Sequence, residues 1–140
     1  MASQLKVDTI TGVSTAGSIA VTGEGNSTTT NLQQGLCKSW INVDGDASTP
    51  SIRDSLNAAS LTDTATGRYQ LNYTNNFSTA KQQSGAGIAR RSGNSQGCIV
   101  GLDSQANELR TSDTGFSVTN DAGTLVDQDI ATLLLMGDLA

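Results

Sequence analysis

Residues 38–77 read KSWINVDGDASTPSIRDSLNAASLTDTATGRYQLNYTNNF, and the last third of this stretch decides the fold class. From Arg68 to Thr74 the chain alternates strictly: Tyr69, Leu71 and Tyr73 fall on one side, Arg68, Gln70, Asn72 and Thr74 on the other. A period of two marks a strand with one buried and one wet face. Thr64, Ala65, Thr66 and Gly67 just before it supply a turn, with Gly67 free to take positive φ. Residues 56–63 and 68–74 are therefore a predicted β-hairpin. Upstream, residues 51–59 admit two readings. They can be a strand, or a short helix with Ser51 as N-cap, Asp54 in its first turn and Ile52, Leu56 and Ala59 on one face.

Composition extends the β reading to the whole chain. The 140 residues include 34 Ser and Thr, 15 Gly, 11 Asp against 2 Glu, and only 3 Lys. Asp, Ser, Thr, Asn and Gly compete with helix backbone and favour turns. Hydrophobic residues make up 36% and aromatics 4%, a thin supply for a self-sufficient core, so burial between subunits is expected. The net charge of −5, without a basic cluster beyond Arg90 and Arg91, argues against nucleic acid and against an anionic membrane surface. The apolar run 130–136 is far shorter than the roughly 20 residues that span a bilayer and reads as a buried final strand. MASQLKVDTI has neither a basic leader nor an apolar stretch, so no secretory signal and a cytosolic origin are expected.

Two regions follow from the pattern. Residues 1–35 are Gly-, Ser- and Thr-rich, with sparse aliphatics at Leu5, Val7, Ile10, Val13, Ile19 and Val21. Such a segment has no core of its own. It is read either as a flexible arm or as a docking arm or intertwined β-stem completed by neighbouring chains. Residues 36–140 carry about seven short strand signals: 36–43, the hairpin, 85–91, 98–102, the Phe116–Val118 alternation between turns at 113–115 and 120–123, and 130–136. Turns at this spacing predict an all-β fold, a small antiparallel β-sandwich behind an extended arm. The predicted core anchors are Trp40, Tyr69, Leu71, Tyr73, Phe116 and Val118.

Catalytic chemistry finds little footing. The chain has no histidine, which removes Ser-His and Cys-His nucleophile arrangements and the common zinc sites. Cys37 and Cys98 each sit in an apolar run and read as reduced core thiols. Glu24 and Glu108 are the only glutamates, and Asp44, Asp46, Asp103, Asp113, Asp121 and Asp127 stand in turn contexts. Asn42, Asp44 and Asp46 alternate as in a calcium loop but lack its distal glutamate. The Gly-rich residues 14–18 contain no phosphate-loop pattern. No catalytic, metal or cofactor residue is expected. Contacts with a ligand are expected from the loops 44–51, 62–67, 78–85 and 91–97.

The order of an apolar Trp strand, a Gly/Asp/Thr turn, Ile52-Arg53-Asp54-Ser55, a Ser/Thr-rich strand, a Thr-Gly turn and a Tyr strand resembles small β-domains of tail-fibre and other virion proteins of marine bacteriophages. The likeness covers residues 36–77 and, more loosely, 5–10; Leu56, Ala58 and Ala59 depart from the bulky residues usual in that family. The resemblance favours the strand reading of residues 51–59. It implies a non-enzymatic virion protein, a short fibre, spike or head-fibre subunit attached through its arm. It further implies a homotrimer, contacts with other virion proteins and a loop surface for a host glycan. A capsid decoration or cement protein, and a stand-alone carbohydrate-binding module, are the alternatives.

Overall fold

The computed structural model describes residues 4–12, 19–22, 29–80, 84–90, 98–103 and 109–140. The chain divides into two units, Met1–Leu36 and Cys37–Ala140. In the first, β1 (Ala20–Thr22) pairs antiparallel with β2 (Thr29–Asn31), followed by a single helical turn, α1 (Leu32–Gly35). Its aliphatics stay largely in solvent: Leu5 is 80% exposed, and Val7, Ile10 and Val21 are more than half exposed. Ile19 is half-buried, and Val13 lies outside the described residues.

The second unit is one eight-stranded antiparallel sheet. Its strands are β3 (Ser39–Asp44), β4 (Ser51–Leu56), β5 (Ala58–Ala65), β6 (Arg68–Tyr73), β7 (Ser84–Arg90), β8 (Cys98–Leu102), β9 (Asp113–Asn120) and β10 (Ile130–Met136). They lie in the order β4-β3-β10-β7-β8-β9-β6-β5. The expected all-β class holds, and the sheet is nearly closed on itself. Two observations show the curl. Tyr69 on β6 brings its hydroxyl to 3.5 Å from the carbonyl oxygen of Gly45, just beyond β3, although five steps of the sheet separate these strands. The two edge strands, β4 and β5, are joined by Asn57 alone.

Inward residues follow the period of two and meet in register. Ile41 and Val43 of β3 pair with Leu133 and Ala131 of β10, Val100 with Val118, and Tyr69 with Phe116. All of these are buried and join one core with Leu71, Tyr73, Phe77, Ala89 and Leu135. The Tyr69 and Phe116 rings lie 5.3 Å apart, and Tyr73 and Phe77 4.9 Å apart, both tilted, as aromatic pairs prefer. Small residues on β7 make room for the β10 leucines. A Cβ on Gly85 would stand 2.8 Å from Leu135 Cδ2 and 3.4 Å from Leu133 Cδ1, and one on Gly87 2.3 Å from the Thr132 carbonyl oxygen.

Five of the six expected core anchors are buried: Tyr69, Leu71, Tyr73, Phe116 and Val118. Trp40 is not one of them. Ile41 and Val43 hold the inner face of β3, so alternation turns Trp40 outward, where it is half-buried between Leu56 and Leu134 on the neighbouring strands. Other expectations change as well, and the first hairpin strand runs 58–65 rather than 56–63. The first strand starts at Ser39 rather than Leu36. Residues 113–115 are strand rather than turn, buried because Asp113 is covered as well as Thr114. Strand β10 is buried on one face only: Ala131, Leu133 and Leu135 point inward, while Leu134 is 43% exposed.

Residues 51–59 are strand, broken at Asn57, whose φ is +56°. Asn tolerates this left-handed conformation better than most residues. Its side chain also works as a surrogate strand: Oδ1 accepts from the Asn75 N–H at 2.6 Å and Nδ2 donates to the Asn75 carbonyl at 3.0 Å. Asn57→Gly should keep the bend and lose the two bonds, costing about 1–2 kcal/mol. Asn57→Ala adds the left-handed penalty and should cost about 1–2 kcal/mol more. Urea unfolding of the two variants checks the order; an alanine variant as stable as the glycine one would contradict this account of the bend.

Candidate functional site

Strand directions settle which loops share an end. The residues after β3, the β5–β6 turn at Thr66 and Gly67, and residues 121–129 gather at one end of the sheet. The opposite end holds the Asn57 junction, residues 74–80 and the C-terminal 137–140, where Phe77 bridges Leu139 and the Ser78 N–H donates to the Asp138 carbonyl at 2.8 Å. Of the expected contact loops, 44–51 and 62–67 therefore stand together, whereas 78–85 starts from the far end. Residues 91–97 lie outside the described residues, as do Glu24, Glu108 and residues 14–18 and 81–83.

The first end is built on Tyr69 and Asp127. The phenol hydroxyl donates to Asp127 Oδ1 at 2.8 Å, and the same oxygen accepts the Gly67 N–H at 2.7 Å. Gly67 turns at φ +65°, and a Cβ there would stand 2.6 Å from the Val126 nitrogen. The residue must be glycine on both counts. The Gly45 N–H donates to the Gln128 carbonyl at 2.8 Å, which fastens the β3–β4 loop to the same segment. Arg53 pairs with Asp44 at 2.6 Å and also donates to the Asp129 carbonyl. Three loops are thus tied to one another by backbone and side-chain bonds.

This end is acidic. Burial pushes the Tyr69 phenol well above its ordinary range, and the hydrogen bond to Asp127 and the charges of Asp127, Asp63 and Asp46 push the same way. Tyr73 is also raised, by burial foremost and by Asp113, against a lowering hydrogen bond from Thr114. The loops bear carboxylates and hydroxyls, which are hydrogen-bond acceptors and donors. Among the described residues no three His, Cys, Asp or Glu side chains gather as metal ligands. Both cysteines are free, and the Cys37 thiol donates to the Ser39 and Leu135 carbonyls.

A second polar set covers the outer face of β6 and β9. Arg68 pairs with the buried Asp103 at 3.0 Å. Gln70 donates to Asp113 Oδ1 at 3.0 Å, and the Ser112 hydroxyl donates to the other carboxylate oxygen at 2.7 Å. Asp103, Asp113 and Asp127 read as ordinary turn acids in the sequence. Their long-range partners lie 35 to 60 positions away, and no local pattern announces them. Comparison with protein-family models, curated proteins and solved structures finds no match.

The tyrosines make stability fall in alkali. Both phenols hold their protons more tightly in the folded chain than in the unfolded one, where the pKa is about 10. The stability this contributes is complete below pH ~10 and declines as pH rises above it. Urea midpoints measured from pH 8 upward should therefore drop steeply beyond about pH 10. Tyr73→Phe should flatten the drop. Tyr69→Phe should flatten it too and cost about 1–2 kcal/mol at neutral pH through the lost Asp127 bond. Unchanged alkaline profiles in both variants would refute the assignment.

Proposed function

We propose that this chain is a structural component of a bacteriophage particle: a short fibre, spike or head-fibre subunit, docked through its N-terminal unit and presenting the β-domain outward. What supports the reading, beside the phage-domain resemblance of residues 36–77, is the state of the first unit. Its described elements are a three-residue hairpin and one helical turn, and Leu5, Val7, Ile10 and Val21 stand in solvent. Aliphatics spaced along a segment with no core of its own gain burial when another protein supplies the surface. The β-domain has a different character. Its core is complete within residues 37–140, and its tied loop end offers hydrogen-bonding groups to a host surface glycan.

Removal of residues 1–36 tests the division of labour. The truncated chain should keep its β circular-dichroism signal and its unfolding midpoint, yet be missing from particles assembled in its presence. Truncated chain found in particles at the full-length level would remove the docking role. Absence of the full-length chain from purified particles would remove the virion reading itself.

A further inference from the structure

Strand β3 ends on Asp44, and Gly45 follows it into the tied loop end. This is the only Asp-Gly step in the chain. Aspartate before glycine is the aspartyl sequence most prone to closing a ring on the main chain, because glycine sets no side chain beside the attacking nitrogen. Neither residue can be exchanged without loss. A Cβ on Gly45 would run into the Tyr69 hydroxyl and stand 2.9 Å from the Gln128 carbonyl oxygen. Asp44 is the ion-pair partner of Arg53 at 2.6 Å. The loop end therefore carries a reactive dipeptide that its own packing demands.

We propose that Asp44–Gly45 is a latched isomerisation site: the closed fold holds the dipeptide unreactive, and opening of the loop end lets it convert to isoaspartate. In the first step the Gly45 nitrogen, giving up its proton, attacks Asp44 Cγ. An N–Cγ bond forms, the side-chain oxygen leaves as water, and a five-membered succinimide results. Water then adds to one of the two ring carbonyls. Cleavage of N–Cγ restores aspartate. Cleavage of the bond from the nitrogen to the Asp44 main-chain carbonyl leaves the chain running through Cγ, which is isoaspartate. One water is lost and one is regained, so no co-reactant is needed.

Three restraints make the latch. Pairing of Asp44 with Ser51 fixes its backbone in the strand. The Gly45 N–H, whose nitrogen must attack, is turned to the Gln128 carbonyl at 2.8 Å. The carboxylate is turned to Arg53, which is itself fixed by donating to the Val43 carbonyl at 3.3 Å and to the Asp129 carbonyl. Ring closure requires their release together, so it proceeds from a locally opened state. The product adds a methylene to the main chain between Asp44 and Gly45. Gly45 is then out of step with Gln128, and the tie between the β3–β4 loop and residues 126–129 is not remade. None of this depends on the virion reading.

Peptide mapping tests it. The full chain is kept at neutral pH in buffer and in guanidinium chloride and digested with trypsin, and the peptide carrying Asp44 is resolved into aspartyl and isoaspartyl forms of equal mass. Isoaspartate should form at Asp44 in the unfolded chain, and at least about tenfold more slowly in the folded one, since the reaction follows the open population. Arg53→Ala should speed the folded-state reaction by about threefold, the size of effect an exposed ion pair supports. Arg53→Lys should keep most of the protection, and all three chains should react alike when unfolded. If Arg53→Ala loses its β circular-dichroism signal, Arg53→Gln takes its place. Val100→Ala, a core change on β8, should not speed the reaction, because the opening is local. Equal rates in the folded and unfolded chain, no isoaspartate in the unfolded chain, a folded-state rate indifferent to Arg53→Ala, or a matching acceleration by Val100→Ala would overturn the proposal.

Discussion

A curled antiparallel sheet has to dispose of two edges, because unpaired strand edges invite pairing with other chains. In this domain both edges belong to one stretch of backbone. Strands β4 and β5 are consecutive, and the left-handed turn at Asn57 is all that separates them. Because the bend occurs at a fixed position, the inner faces of β4 and β5 are brought over the same core: Ile52 from one and Leu61 from the other pack against it. The Asn57–Asn75 bonds hold that bend to the chain leaving β6. The curl, the shared core and the reach of Tyr69 to Gly45 all follow from this junction.

The inner face and its strands were written plainly in the sequence. Tyr69, Leu71 and Tyr73 alternate without exception, the Gly67 turn is where its φ requires it, and residues 98–102 and 130–136 carry their strands at the expected bounds. The same period-two logic also contained the correct position of Trp40. Ile41 and Val43 are two aliphatics on one parity, and the lone Trp stands on the other. Giving a scarce aromatic to the core on composition overrode the alternation, and the alternation was right. Residues 51–59 were ambiguous for a physical reason: a positive-φ Asn breaks the strand in the middle, so neither the helical nor the strand period runs cleanly through.

The polar ties were not legible. Tyr69 and Asp127 are 58 positions apart and Gln70 and Asp113 43, and each acid sits in a context where a solvated turn acid would look the same. Long-range pairs of this kind are fixed by strand order, which alternation does not encode. Two faces of one sheet consequently carry two kinds of information. The inner one follows local hydrophobic period, and the outer one follows from which strands are neighbours.

Strand order has one more consequence. Strands β3 and β10, the first and last of the domain, lie side by side through five paired rows, and the Lys38 N–H donates to the Leu135 carbonyl just beyond them. The two ends of the domain's chain are laced to each other, so neither can fray without breaking pairs with the other.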